Sequence, residues 1–140
     1  YNLLGECCIE LGMDKQAEAL FTMAAKLDIS YISAVYNLGK LYYNQKKYPD
    51  AICFMEQSIE THETSHSINS ILSETTDTNE IVPIYNLLGQ CYKMKENYAK
   101  ARAIWEKSLA IQPHQQDITD ALLDLPQPSR SHKRVSLVID

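Results

Sequence analysis

The densest group of chemistry-bearing residues in this chain is His62, Glu63 and His66, within the run His-Glu-Thr-Ser-His. On a helix, two histidines four positions apart share a face and can hold one zinc ion. The Glu between them would then serve as general base, the arrangement of a zinc-dependent hydrolase. The surroundings argue against that use. The run follows an amphipathic segment and is rich in Thr and Ser, so it reads as a solvated loop rather than a firm helix. Glu74 and Glu80 lie nearby, but at spacings that do not supply the third ligand a catalytic zinc needs. Neither a metal site nor a cofactor is expected.

Other reactive groups are scattered. Cys7, Cys8, Cys53 and Cys91 form no C-x-x-C pair, and neighbours on a helix point to different sides, so they read as reduced, small apolar side chains. The four glycines make no phosphate-binding loop, and no nucleophile elbow occurs. Lys133 and Arg134 precede Ser136 as a basophilic kinase would require, making Ser136 a candidate phosphosite. No catalytic residue is assigned, and the chain is not expected to be an enzyme.

Composition narrows the class. The chain has 140 residues, 45% hydrophobic and 22% charged, with a net charge of -5. These are globular values and exclude disorder, collagen and disulfide scaffolds. No apolar run reaches the roughly 20 residues that span a bilayer, so membrane insertion is not expected. Nucleic acid is not an expected partner either, because that needs clustered Lys and Arg. Tyr1 to Gly12 has neither a basic start nor a cleavage site, which points to an intracellular, cytoplasmic setting with the nucleus left open.

The elements behind these residues appear on looking for internal repeats. Three segments align, beginning near Tyr1, Val35 and Tyr85, with Leu-Gly pairs at Leu4-Gly5, Leu38-Gly39 and Leu88-Gly89. The first two glycines are 34 residues apart and the second and third are 50 apart, as expected for one period plus a 16-residue insertion. Each segment divides into two amphipathic helices. In the third, Tyr85, Leu88 and Tyr92 recur at helical spacing, and so do Ala101, Ile104, Trp105 and Leu109. Asn97 should cap that second helix, Pro113 should end it, and Pro49 fits the first turn of the corresponding helix in the middle repeat. Gly5, Gly39 and Gly89, facing Ala17, Ala51 and Ala101, let the paired axes approach. Phe21, Met55 and Trp105 fill the space beside them.

An aromatic, Leu-Gly, a second aromatic, a spaced Ala, a bulky residue and a closing Pro resemble the tetratricopeptide repeat. The third repeat matches at Tyr85, Leu88, Gly89, Tyr92, Tyr98, Ala101, Trp105 and Pro113. The middle one has Val35 at the first aromatic position and no terminal Pro; in the first, Cys8 replaces an aromatic. The resemblance implies an all-α fold, a right-handed superhelical solenoid of antiparallel helix pairs, with repeats at about 1–30, 31–61 and 82–113. It implies a non-catalytic scaffold or adaptor that binds a peptide or helix of a protein partner in its concave groove, within a multiprotein complex. Tyr1 falls partway into a repeat helix with no Met before it, so the chain is expected to be a piece of a longer repeat protein.

The insertion, 62–81, is free of Lys and Arg and carries -4 of charge. Ile68, Ile71 and Leu72 have the spacing of a short helix or helix extension, the rest reads as loop, and Thr78 or Asn79 should cap the helix that follows. After Pro113, residues 115–125 place Ile118, Ala121, Leu122 and Leu125 on one face, as a capping helix or the first helix of a degenerate fourth repeat would. Residues 126–140 read as an extended or disordered tail.

First-helix residues turned away from their partner helix are the groove candidates: Asn2, Glu6, Tyr36, Asn37, Lys40, Tyr43, Asn44, Asn86, Gln90 and Lys93. Amides can bond a peptide backbone, and tyrosines give contact area at low entropy cost. Some tetratricopeptide domains grip the acidic tail of heat-shock chaperones with Lys, Arg and Asn. The matching positions here are Asn2, Glu6, Asn37, Pro83 and Leu87; only Asn37 fits, and Glu6 would repel a carboxylate, which argues against a chaperone-tail adaptor. Self-association through the open ends of the solenoid is the alternative function.

Overall fold

The computed structural model describes residues 1–72 and 77–127, and the candidate phosphosite Ser136 lies outside them. The described residues form seven α-helices and one 3₁₀ turn, with no strand: α1 (Asn2–Glu10), α2 (Asp14–Leu27), α3 (Ile32–Asn44), α4 (Tyr48–Ile71), the 3₁₀ turn (Thr78–Ile81), α5 (Val82–Met94), α6 (Tyr98–Ile111) and α7 (Gln116–Asp124). Three helix pairs, α1/α2, α3/α4 and α5/α6, stack so that each second helix packs on the next first helix, and α7 packs on α6 as α3 does on α2. The fold is the all-α tetratricopeptide-type solenoid.

The small-residue seams are where the spacing put them. Ala17, Ala51 and Ala101 are fully buried, and Phe21, Met55 and Trp105 are at most 2% exposed. Most helix starts lack a side-chain cap; Asn97 is an exception, its carboxamide accepting from the Lys100 amide at 3.4 Å. Short uncapped helices are marginal alone, so here the packed apolar face holds them.

The turn inside each pair repeats one geometry. Gly12, Lys46 and Glu96 all take positive φ, at 70°, 61° and 59°. The following amides reach back to Cys8, Tyr42 and Tyr92 carbonyls at 2.8 to 2.9 Å, closing the first helix by a Schellman motif. Only the first repeat uses glycine there, and a side chain in this region costs on the order of 1 kcal/mol. Lys46→Gly and Glu96→Gly, both exposed, should therefore each raise stability by about 0.5–1 kcal/mol in urea unfolding. A loss of stability in either variant would contradict the shared turn geometry.

Residues 62–67 depart from the loop expected there, and the helix extension expected at Ile68 and Ile71 is continuous with them. Helix α4 runs 24 residues without a break and carries His62 to His66 within it. The Ser and Thr content does not prevent this, because the hydroxyls of Thr61, Thr64 and Ser67 donate to carbonyls one turn back, at 2.8 to 2.9 Å, instead of competing for amides. Glu63 also ties the extension to the third pair, as described below. The cap that follows differs too: Asp77, rather than Thr78 or Asn79, accepts from the Asn79 amide and opens the 3₁₀ turn, and α5 then begins at Val82 with Pro83 in its first turn.

At the far end, α7 buries Ile118, with Leu125 just beyond it. In register with the repeats, Leu123 stands where Gly5, Gly39 and Gly89 stand, and it is exposed. A leucine at that position obstructs the close approach of a second helix. Helix α7 thus occupies the place of a first helix in the stack, packed on α6.

Candidate functional site

First helices pack on one another: α3 lies against α5, and α1 reaches α3, whereas no two second helices pack closely. The array therefore curves with α1, α3 and α5 inside, and they line a groove. Three clefts run along it. The first, about 330 Å³, lies between Glu6 and Glu10 of α1 and Asn37, Lys40 and Asn44 of α3. The second, about 610 Å³, is bounded by residues 30–33, Tyr36, Asn37, Glu80 and Pro83, with Glu6 shared with the first. The third, about 370 Å³, joins at Tyr36 and Pro83 and extends past Asn86 and Gln90 to Gln115 and Asp117.

Seven of the ten groove candidates thus line connected clefts: Glu6, Tyr36, Asn37, Lys40, Asn44, Asn86 and Gln90. Three do not. Asn2 is buried, and its side chain bonds those of Glu6 and Asn37 at 3.1 Å. Tyr43 packs edge-on against Tyr48, ring centres 5.5 Å apart. Lys93 is exposed but borders none of the three clefts. Residues 30–33 and Glu80 at the lip were not among the groove candidates: Ser30, Tyr31 and Glu80 precede the first helices, and Ile32 and Ser33 belong to the opening turn of α3. The available signal was position: turns that enter a first helix lie at its groove end.

Hydrogen bonds divide the lining residues into fixed and free. Asn37 donates to Glu6 Oε1 at 2.8 Å and Asn2 donates to the same oxygen, so the carboxylate is held in one orientation. Asn86 is more deeply committed. Its main-chain oxygen accepts from Trp105 Nε1 at 3.1 Å and its Oδ1 from the Ser108 hydroxyl at 2.5 Å, while its Nδ2 donates to Gln115 Oε1 at 2.7 Å. Gln115 in turn donates to Ser108 Oγ at 3.0 Å. Asn86 is therefore a structural joint between the third pair and the start of α7 as well as a groove residue. In the second repeat Tyr36 occupies the equivalent position, and the buried Ser58 hydroxyl, aligned with Ser108, has no hydrogen-bond partner. Tyr36 is thereby released to line the groove.

The zinc-type motif is spent differently. Glu63 Oε1 binds Lys107 Nζ at 3.2 Å and accepts from the Tyr85 hydroxyl at 3.1 Å. Burial, with the Glu63 charge added, pushes the Tyr85 hydroxyl up to about 12, so it stays protonated and remains a donor. A carboxylate with these two partners is not a free general base. His62 and His66 do lie one turn apart on α4, but among the described residues no group of three possible metal ligands occurs. Cys8 and Cys91 are buried, and burial raises the Cys91 thiol to about 12, far from a reactive thiolate.

Comparison with known proteins agrees with this geometry. Tetratricopeptide repeat models match residues 32–71 and 82–115, together just over half of the chain. The chain belongs to the tetratricopeptide repeat family. Comparison with curated proteins finds no match. Among solved structures, this tetratricopeptide repeat chain is similar to the N-terminal domain of stress-induced protein-1 (STI-1) from C. elegans, with a TM-score of 0.72 and 17% identity over 90% of this chain and 91% of that one. At that identity the likeness concerns the fold. Tetratricopeptide repeats make protein–protein interaction scaffolds, and the repeats here mark this chain as one. Among the described residues no helix is long and apolar enough to cross a membrane.

Proposed function

We propose that this chain is a non-catalytic adaptor that holds an extended segment of a partner protein in the groove formed by α1, α3 and α5, as part of a larger assembly. The observation that supports this most is the continuity of the three clefts, joined through Glu6, Asn37, Tyr36 and Pro83. Glu6 stands at a position where the chaperone-tail clamp has an amide, and its charge would repel a carboxylate, so an acidic tail is the wrong ligand. Affinity capture with mass spectrometry tests the reading. Tyr36→Ala and Gln90→Ala should lose a common set of partners; Gln90 is exposed, so its variant should keep the thermal midpoint, while Tyr36 packs in part on the core and its binding loss is to be compared with its own midpoint. If both variants retain the same partners as the wild type, the groove is not the site.

A further inference from the structure

The charges along the groove are unevenly distributed. Its three clefts are lined by Glu6, Glu10, Glu80 and Asp117, and by a single cation, Lys40. The remaining described lysines and arginines belong to the second helices and to the turns and helix ends around them, apart from Lys93, which borders none of these clefts. No described lysine or arginine pairs with a groove carboxylate, since the described ion pairs are Lys47 with Glu18 and Lys107 with Glu63. Glu6 is also pre-set. With Oε1 held by Asn37 and Asn2, its other oxygen has no side-chain partner among the described residues, and Glu6 borders both of the first two clefts. Beside it, Tyr36 and the amide of Asn44 offer a surface for the stem of a long side chain and a backbone contact.

We propose that the groove selects an extended peptide bearing lysine or arginine, with Glu6, Glu10 and Glu80 meeting its positive charges. This rests on the groove reading above and adds the chemistry of the ligand. The carboxylates are exposed, so they act mainly by steering and by rejecting acidic segments, and their effect should fade as salt rises. Lys40 works against such a ligand.

The test is selection of a random peptide library displayed on phage against the full chain, followed by binding of the recovered peptides at low and high salt. Enrichment of Lys and Arg is expected. The triple variant Glu6→Gln, Glu10→Gln, Glu80→Gln should weaken binding about tenfold at low salt and flatten the salt dependence, and Lys40→Gln should tighten binding. Glutamine keeps the shape and hydrogen-bonding capacity of each side chain, and a circular dichroism spectrum checks the fold. Recovered peptides without basic enrichment, whose binding still falls with Tyr36→Ala, would overturn the charge selection and leave the groove in place. Peptides indifferent to both sets of variants, or a selection that recovers none, would overturn the charge selection and the groove reading together.

Discussion

Gly89→Ala is expected to destabilise the chain by about 2–3 kcal/mol, while Gly39→Ala stays within about 1 kcal/mol of the wild type. The substitution is the same and both sites lie on first helices, so helix propensity favours Ala at each by about 1 kcal/mol. The difference is in what the added methyl meets. At Gly89 it would fall on the Trp105 indole, on Nε1 and within 2.5 Å of Cδ1. That ring is fully buried and its N–H is bonded to Asn86, so it can neither turn nor retreat without giving up a hydrogen bond. At Gly39 the nearest atoms are Met55 Sδ at 3.2 Å and Leu87 Cδ2 at 3.3 Å, the ends of side chains that can shift a few tenths of an ångström. Urea unfolding of both variants measures the difference. Equal losses at the two sites would show that the indole is not the rigid wall described here.

Asn86→Ala should cost about 2–3 kcal/mol as well, for a different reason. The substitution removes the acceptor of the Ser108 hydroxyl and the donor to Gln115 at once, and Ser108 is fully buried. What remains are buried polar groups without their partners, and that costs more than the bonds themselves contributed. Ser108→Ala in the same background should then add little, so the double-mutant cycle should be strongly non-additive. An unfolding midpoint unchanged by Asn86→Ala would sink the joint and return Asn86 to the groove alone. A binding loss in an Asn86 variant must therefore be read beside its stability.

The fold was legible in the sequence because its determinants are local and repeated. Three Leu-Gly pairs, three alanines and three bulky residues recur in register, and a helix pair needs little more than a small seam and a large knob. The extension of α4 was legible only at its end, where Ile68, Ile71 and Leu72 have helical spacing; residues 62–67 were not, because Ser and Thr favour loops unless their hydroxyls turn back onto carbonyls, and distant partners such as Tyr85 and Lys107 hold that stretch. The groove was legible in part. Helical periodicity marked which first-helix residues turn away from their partner helix, and seven of ten line the clefts. It could not show that Asn2 is sealed beneath Asn37, that Tyr43 leans on Tyr48, or that Asn86 bonds to a residue 29 positions on. The Asn2 and Asn86 outcomes depend on how neighbouring pairs stack, which no single repeat encodes, and the Tyr43–Tyr48 contact depends on how α3 and α4 cross.

The extended α4 has a mechanical consequence. A stack of pairs that touch only their neighbours opens pair by pair, like links in a chain. Helix α4 strengthens one of those links, since it packs on α3 and α5 and reaches α6 through Glu63 and Lys107. It fastens the second and third pairs into one stiff block, completed by α7. The first pair is joined to that block by different ties, Asn37 with Asn2 and Glu6 on the groove side and Lys47 with Glu18 away from it. Two of the three clefts lie at that junction, so a ligand drawn into them would lie against the same side chains that hold the pairs together, and binding there would tighten the array as well as fill it.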